Sequence, residues 1–129
     1  MNIGETAKAS GVSAKMIRHY EAIGLIDAAL RTSAGYRVYT ERAVQVLQFI
    51  HRGRTLGFSL EQIRTLLALW QDKQRASKDV RAMARQHIDD LDRKIADMQA
   101  MRRTLETLAA RCHGDDRPDC PILEDLSHG

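Results

Sequence analysis

The sequence predicts a mainly α-helical protein with one small β-hairpin in its N-terminal half. Three observations support this fold class. Apolar residues recur at helical spacing through most of the chain, a turn-forming Gly35 lies beside a short alternating run, and residues 77–111 contain neither glycine nor proline. Only 5% of the 129 residues are aromatic and 29% are charged. A large core is therefore not expected, and such a chain often completes its core by oligomerising.

The charge is distributed unevenly along the chain. Residues 1–56 carry eight Lys and Arg against four acids, a net of +4, whereas the remainder carries twelve against thirteen. A basic head joined to a near-neutral helical segment indicates nucleic-acid binding with self-association.

No stretch approaches the roughly 18 apolar residues of a membrane span, and the N-terminus does not have the pattern of a signal peptide. We therefore expect a cytoplasmic protein. Without a C-x-x-C motif or a fold large enough for a substrate pocket, we expect no enzyme.

The first two helices are predicted to form a helix-turn-helix. Residues 3–10 read as a short helix, Gly11 to Ser13 as a tight turn, and Ser13 as the N-cap of a helix that runs to about Ala22. The second helix of such a unit enters the major groove. An ordinary pair of surface helices would look similar. The candidate DNA-binding residues here are Ser13, Lys15, Met16, Arg18, His19 and Tyr20.

A β-hairpin is predicted after Gly24 ends the second helix. The run from Arg31 to Tyr39 ends in alternation, and Ser33-Ala34-Gly35 supplies the turn. Arginines and tyrosine hydroxyls on an exposed hairpin suit phosphate contact, although a purely solvated hairpin would look similar. The candidates are Arg31, Tyr36 and Arg37. Together with the preceding helices they indicate a winged helix-turn-helix that binds DNA.

Two further helices complete the head, which we assign to residues 1–70. Thr40 is the predicted N-cap of the third helix, which carries the DNA-binding candidate Arg54 near its end and stops at Gly57. Ser59 and Gln62 form a capping box for the fourth helix. The apolar faces of these two helices comprise Ala43, Val44, Leu47 and Ile50, then Ile63, Leu66, Leu67 and Trp70. Residues 71–76 are polar and read as a linker.

Residues 77–111 are predicted to form one long dimerisation helix. Spacings of four and three define a heptad seam that only Arg102 interrupts. At about 1.5 Å per residue the helix is roughly 50 Å long. Its apolar stripe needs a partner, and no other segment of the chain is long enough, so we expect an antiparallel coiled coil between two copies. The seam comprises Ala84, Ile88, Leu91, Ile95, Met98, Leu105 and Ala109.

The segment 112–129 holds the only two cysteines, in a loop followed by a short helix. Cys112 lies where the long helix ends before Gly114, and Cys120 precedes Pro121 at the expected N-cap of the last helix. A thiol at that end of a helix has a lowered pKa. Two facing thiolates without a third soft ligand suit Cu(I). A structural disulfide, a redox pair or unrelated thiols are alternatives. We interpret Asp115, Asp116 and Asp119 as loop-capping residues, and His113 as directed away from Cys112.

The chain resembles the MerR family of transcriptional regulators along essentially its whole length, and within that family the copper-efflux regulators. The resemblance rests on several matching stretches, of which the two-cysteine segment discriminates best. They are Met1-Asn2-Ile3-Gly4, the stretch from Ser13 to Glu21, Gly35-Tyr36-Arg37-Val38-Tyr39, Leu56-Gly57-Phe58-Ser59-Leu60, and the run from Cys112 to Ile122.

The resemblance implies a homodimer that binds a palindromic promoter with an over-long spacer. With metal bound, it would distort the DNA so that RNA polymerase engages both promoter elements. Members that sense divalent ions place a third cysteine at the start of the dimer helix, where this chain has Ser77. Cys112 and Cys120 would then hold Cu(I), with Ag(I) or Au(I) as alternatives, and Ser77 would contribute to metal selectivity.

Overall fold

The computed structural model describes residues 1–129, which form six helices and one two-stranded sheet. The chain divides into two compact units, Met1–Val80 and Arg81–Gly129. The elements in chain order are α1 (Ile3–Ser10), α2 (Ala14–Ala22), β1 (Leu30–Arg31), β2 (Arg37–Val38), α3 (Glu41–Thr55), α4 (Leu60–Gln71), α5 (Ser77–Arg111) and α6 (Pro121–His128). The mainly α class, with a helix-turn-helix, a small wing and one long helix, is confirmed.

Side-chain caps begin three of the four helices of the head at the residues that the sequence predicts. The hydroxyls of Ser13 and Thr40 accept the backbone N–H groups of Met16 and Ala43, each at 3.2 Å. Ser59 and Gln62 form the expected reciprocal capping box. Such caps satisfy N–H groups that have no partner inside the helix. The turn between α1 and α2 contains Gly11 at φ 78°, a left-handed conformation that glycine adopts without steric cost.

The wing is a short antiparallel hairpin. Leu30 pairs with Val38 and Arg31 with Arg37. The turn is closed by the Gly35 N–H, which donates to the Thr32 carbonyl, and by the Thr32 N–H, which donates to Tyr36. Each strand is only two residues long, and an isolated two-stranded hairpin is marginally stable in water. The wing therefore depends on its contacts with the rest of the head.

The hydrophobic core of the head joins α2, α3 and α4. Ile17, Leu47, Ile50 and Ile63 are completely buried at its centre. Gly53 lets α3 and α4 approach closely, because a Cβ at this position would lie 3.0 Å from the Ile63 side chain. At the edge of the core, Trp70 stacks on Phe49 with ring centroids 4.7 Å apart, and Arg42 lies over the indole. Trp70, which we predicted on the apolar face of the fourth helix, thus packs at the edge of the core.

The second unit consists of most of α5, the cysteine loop and α6. The seam residues Ile88, Ile95, Met98 and Leu105 are each between 53% and 65% exposed in the single chain. Leu108 is the one buried apolar residue near the end of α5, and it lines a groove between α5 and α6 together with Ile122 and Leu126. None of the helices is long and apolar enough to cross a membrane.

Candidate functional site

The two cysteines occupy the two ends of the loop that joins α5 to α6. The backbone N–H of Cys112 donates to the carbonyls of Leu108 and Ala109 in the last turn of α5, at 3.2 and 3.1 Å. Gly114, at φ 66°, then turns the chain away from the helix axis. Cys120 is the N-cap of α6, with Pro121 at the first helical position. Both thiols are free and half-buried.

The start of α6 stabilises the thiolate form of Cys120. The backbone N–H of Leu123 lowers the pKa of the Cys120 thiol most, and the Ile122 N–H and the Cys112 side chain lower it further. These contributions outweigh the opposing effect of desolvation. The sulfur accepts no capping hydrogen bond of normal geometry, so the N–H groups act as nearby partial positive charges. The loop thus carries one thiol at each of its ends, and Cys112 adds to the stabilisation of the Cys120 thiolate.

The acids of the loop have other partners or face solvent. Asp115 accepts the backbone N–H of Arg117 at 2.9 Å, and it also forms an ion pair with the Arg117 Nε at 2.9 Å. Asp116, Asp119 and His113 are exposed. No group of three or more His, Cys, Asp or Glu side chains is arranged to hold a metal ion. The soft donor atoms of this loop are the two sulfurs of Cys112 and Cys120. Such a donor pair fits a soft monovalent ion better than a divalent one.

Ser77 is the first residue of α5, and its side chain is exposed. A serine hydroxyl is a poor ligand for a soft ion.

On α2, most of the predicted DNA-binding residues lie at the surface. Lys15, Arg18 and His19 are exposed, and Met16 is half-buried against the core. The hydroxyl of Ser13 is occupied as the N-cap acceptor. The two exposed cations and the imidazole share a short helix whose opposite side is anchored by Ile17. This arrangement can present cationic and hydrogen-bonding groups to DNA.

Tyr20 requires a correction, because we predicted it as a DNA-binding residue. Its side chain is only 5% exposed and belongs to the hydrophobic core of the head. On α2, Tyr20 follows the buried Ile17 by three residues, so both lie on the inward side of the helix. The ring therefore anchors α2 instead of presenting itself to base edges.

The wing and the end of α3 carry the remaining candidates. Tyr36 is 74% exposed at the hairpin tip. Arg31 donates through Nη1 to the Gly35 carbonyl at 2.9 Å, and Arg54 donates through Nη1 to the Phe58 carbonyl at 3.0 Å. Each of these arginines keeps further N–H groups available. Arg37 differs, because its Nε donates to the Glu21 carboxylate at 3.3 Å.

Two residues of this region make contacts that we did not predict from the sequence. Glu21 receives hydrogen bonds from three groups of the segment that contains the wing. Arg64 on α4 donates to the Ile23 carbonyl at 3.1 Å, so it caps the C-terminal end of α2. A signal for Glu21 was present, because it follows the apolar Ile17 by four residues and so lies on the inward edge of α2. Arg64 is separated from its acceptor by 41 residues, and no local pattern indicates that contact.

Comparison with known families places this chain clearly. Residues 1–70 match the MerR HTH regulatory-protein family, and residues 44–108 match the MerR DNA-binding family. The chain belongs to the MerR family of DNA-binding transcriptional regulators and is not an enzyme.

Known relatives cover nearly the whole chain. The heavy metal-dependent transcription regulator 2 of Rhizobium meliloti (strain 1021) is 61% identical over 100% of this chain and 88% of its own length. The regulator CueR of Escherichia coli O157:H7 is 41% identical over 98% of this chain and 94% of its own length. Relatives named CueR are thus found at about 40% identity, while regulators named for heavy metals are more similar.

Two solved structures have the same architecture. PbrR691 from Ralstonia metallidurans CH34, in complex with lead(II), has a TM-score of 0.81 and 32% identity, covering 98% of both chains. MerR of Bacillus megaterium MB1, in complex with mercury(II), has a TM-score of 0.69 and 36% identity, covering 98% of this chain and 99% of its own.

Proposed function

We propose that this protein is a heavy-metal-responsive transcriptional regulator whose inducer is Cu(I), and that it activates copper efflux or tolerance genes. The observation that carries the proposal is the pair of free thiols, Cys112 and Cys120, at the two ends of one short loop in a chain of the MerR family. A metal as the signal is supported by two kinds of similar protein. They are the relatives named as heavy metal-dependent regulators and as CueR, and the solved structures in complex with lead(II) and mercury(II).

The donor set favours a monovalent ion. Cys112 and Cys120 would hold Cu(I), and the linear, two-coordinate ligation that Cu(I) accepts needs no third ligand. Divalent soft ions favour three or four ligands, and the hydroxyl of Ser77 does not supply a good one. Ag(I) and Au(I) share the preference of Cu(I) for two sulfurs. They are the alternative inducers that the same site would accept.

The proposed assembly is a homodimer formed through α5. In the single chain, the seam of α5 leaves Ile88, Ile95, Met98 and Leu105 more than half exposed. An apolar stripe of this kind is normally covered by a second helix, here in an antiparallel coiled coil. Such a dimer carries two heads, which suits a palindromic promoter.

The proposed output is a change in promoter shape. With Cys112 and Cys120 loaded, the dimer would untwist and bend an over-long promoter spacer so that RNA polymerase engages both promoter elements. Bending a site of 20–30 base pairs costs on the order of 1–6 kcal/mol, which additional backbone contacts can offset. The positively charged head supplies side chains for such contacts.

The proposal is tested by transcription in vitro with purified RNA polymerase and a promoter that the protein binds. We expect Cys112→Ser and Cys120→Ser each to abolish activation by Cu(I) while leaving promoter affinity within about two-fold. His113→Gln is the matched control, since this neighbour of Cys112 is exposed and should leave activation intact. Full induction of the double cysteine variant by Cu(I) would refute the proposal.

A second candidate function uses the same two thiols. Both thiols are free and lie on one short loop, and the pKa of Cys120 is lowered in part by the Cys112 side chain, so the pair has the features of a redox-sensitive dithiol. This reading predicts induction by an oxidant when copper is chelated, with formation of a Cys112–Cys120 disulfide. The Cu(I) proposal predicts no induction under those conditions, so the same transcription assay separates the two functions.

A further inference from the structure

Glu21, near the end of α2, holds the wing against α2, which is the predicted recognition helix, the one that would enter the major groove. Its Oε1 accepts the backbone N–H of Ala29 at 3.0 Å and the hydroxyl of Tyr39 at 3.2 Å. Its Oε2 accepts the Nε–H of Arg37 at 3.3 Å. The three donors flank and belong to the hairpin, so one carboxylate links the helix to both sides of the wing.

The carboxylate is held in its charged form by these donors. The Glu21 side chain is 14% exposed, and desolvation alone raises its pKa. The Ala29 N–H, Arg37 and Tyr39 together outweigh that effect and hold the pKa of Glu21 below its ordinary value. Hydrogen bonds to a charged group are stronger than those between neutral groups, so this is a firm connection.

The same connection restrains Arg37. Its guanidinium has five N–H donors in a fixed plane. Once Nε is bound to Glu21, the plane and direction of the two terminal nitrogens are set. The Arg37 side chain is 31% exposed, which leaves room for a phosphate oxygen at those nitrogens. Tyr39, two residues after Arg37, is restrained as well, because its ring is buried (3% exposed) and its hydroxyl donates to Glu21.

We propose that Glu21 is a positioning residue for DNA binding, which sets the distance and angle between the recognition helix and Arg37 of the wing so that both meet the same duplex. This inference rests on the proposed use of α2 and the wing as the DNA-contacting surface. It gives a function to an acid that otherwise opposes the approach of phosphate.

The proposal makes a prediction whose sign is opposite to that of simple electrostatics. Neutralising an acid on a phosphate-binding face removes a repulsion and should tighten DNA binding at every sequence. If Glu21 positions Arg37, neutralising it should instead weaken binding to the specific site, because a correctly oriented contact is lost. Glu21→Gln therefore distinguishes positioning from charge alone.

The experiment measures affinity and its salt dependence for a duplex that the metal-free wild-type dimer enriches from a random pool. We expect Glu21→Gln to weaken binding about ten-fold and to reduce the salt slope by about as much as Arg37→Ala does, near one unit. The double variant should bind no more weakly than Arg37→Ala alone, since the two substitutions remove the same contact, that of Arg37 with DNA. Asp27→Asn is the matched control. Asp27 is an exposed acid of the same head, and its neutralisation should leave affinity unchanged or slightly higher.

Several results would overturn the inference. Binding by Glu21→Gln as tight as the wild type, or additive losses in the double variant, would do so. If Glu21→Gln does not fold, Tyr39→Phe decides, because it removes one donor to Glu21 without touching Arg37. We expect a loss of about three-fold, and unchanged affinity would contradict the proposal. If Arg37→Ala binds like the wild type, the DNA-contacting role of the wing fails together with the inference. If only Glu21→Gln is without effect, the role of the wing stands.

Discussion

At the scale of single residues, the chemistry of this protein depends on how the backbone surrounds a side chain. A cysteine side chain has a single ordinary pKa in isolation, but backbone N–H groups in the first turn of α6 lower the pKa of the Cys120 thiol. Glu21 is an ordinary acid, yet the wing supplies it with three donors. In both cases a partly positive environment stabilises an anion.

The thiolate of Cys120 leads to a prediction on its reactivity with pH. A lowered pKa means that the thiolate, which is the reactive form, persists to a lower pH than in an ordinary cysteine. We expect the rate of alkylation of Cys120 by iodoacetamide in the reduced, metal-free protein to reach half its maximum below the pH found for the same peptide in urea. Peptide mass spectrometry measures the rate. Equal midpoints in the folded and unfolded protein would contradict the role of the α6 N-terminus.

Some of the candidate site residues could be predicted from the sequence, and others depend on packing that the sequence does not reveal. The two cysteines and the cations of α2 could be selected from residue type and spacing alone. Tyr20 could not be distinguished from a DNA-facing tyrosine, because its environment depends on the angle at which α2 packs on the core. The donors to Glu21 come from residues 8 to 18 positions away, in a hairpin whose placement no local pattern specifies.

At the scale of elements, the helix boundaries of the head follow from local chemistry. Ser13, Thr40 and Ser59 each cap a helix as predicted, because capping requires only residues within one turn. The same holds for the turn of the wing. Packing between elements is less local, and the close approach of α3 and α4 at Gly53 is a consequence of tertiary structure.

This approach predicts the effect of a larger side chain at position 53. In Gly53→Ala the new Cβ would lie 3.0 to 3.1 Å from the side chain of Ile63, which is completely buried and would have to shift within the packed core. Overpacking costs about 1–3 kcal/mol, whereas replacing a helical glycine by alanine gains only about 0.5–1 kcal/mol. We therefore expect the free energy of unfolding in urea to fall by about 1 kcal/mol.

A matched control for Gly53→Ala is available in α1. In Gly4→Ala the Cβ meets only the Asn2 side chain, at an ordinary contact distance of 3.4 Å. We expect the stability of this variant to equal or slightly exceed that of the wild type. If Gly53→Ala is as stable as Gly4→Ala, α3 and α4 do not pack as closely as described.

At the scale of the whole molecule, the chain contains a DNA-binding head and a long helix that is apolar along one side. The family assignment makes the chain a transcriptional regulator, and the length of α5 could be predicted from the absence of Gly and Pro between residues 77 and 111. The identity of the metal is less accessible to sequence reasoning. It depends on the number and charge of the ligands that the folded loop brings to one ion, which residue types alone do not specify.

The proposed dimer interface on α5 can be tested by placing a charge in its seam. In Ile95→Glu a charge replaces a seam residue that is 53% exposed in the single chain. Burying an unpaired carboxylate in an apolar interface is costly, so we expect the variant to be monomeric at micromolar concentration. Ala96→Glu, at the next position and outside the seam, should remain dimeric. Sedimentation equilibrium measures both, and a dimeric Ile95→Glu would exclude the seam as the interface.

We propose above that Cys112 and Cys120 alone bind one monovalent soft ion. X-ray absorption spectroscopy of the protein after anaerobic titration with Cu(I), with zinc as competitor, tests it most directly. We expect one copper per chain, two sulfur neighbours around the copper, and no displacement by zinc. A coordination shell of three or four ligands, or uptake of zinc in preference to Cu(I), would contradict it.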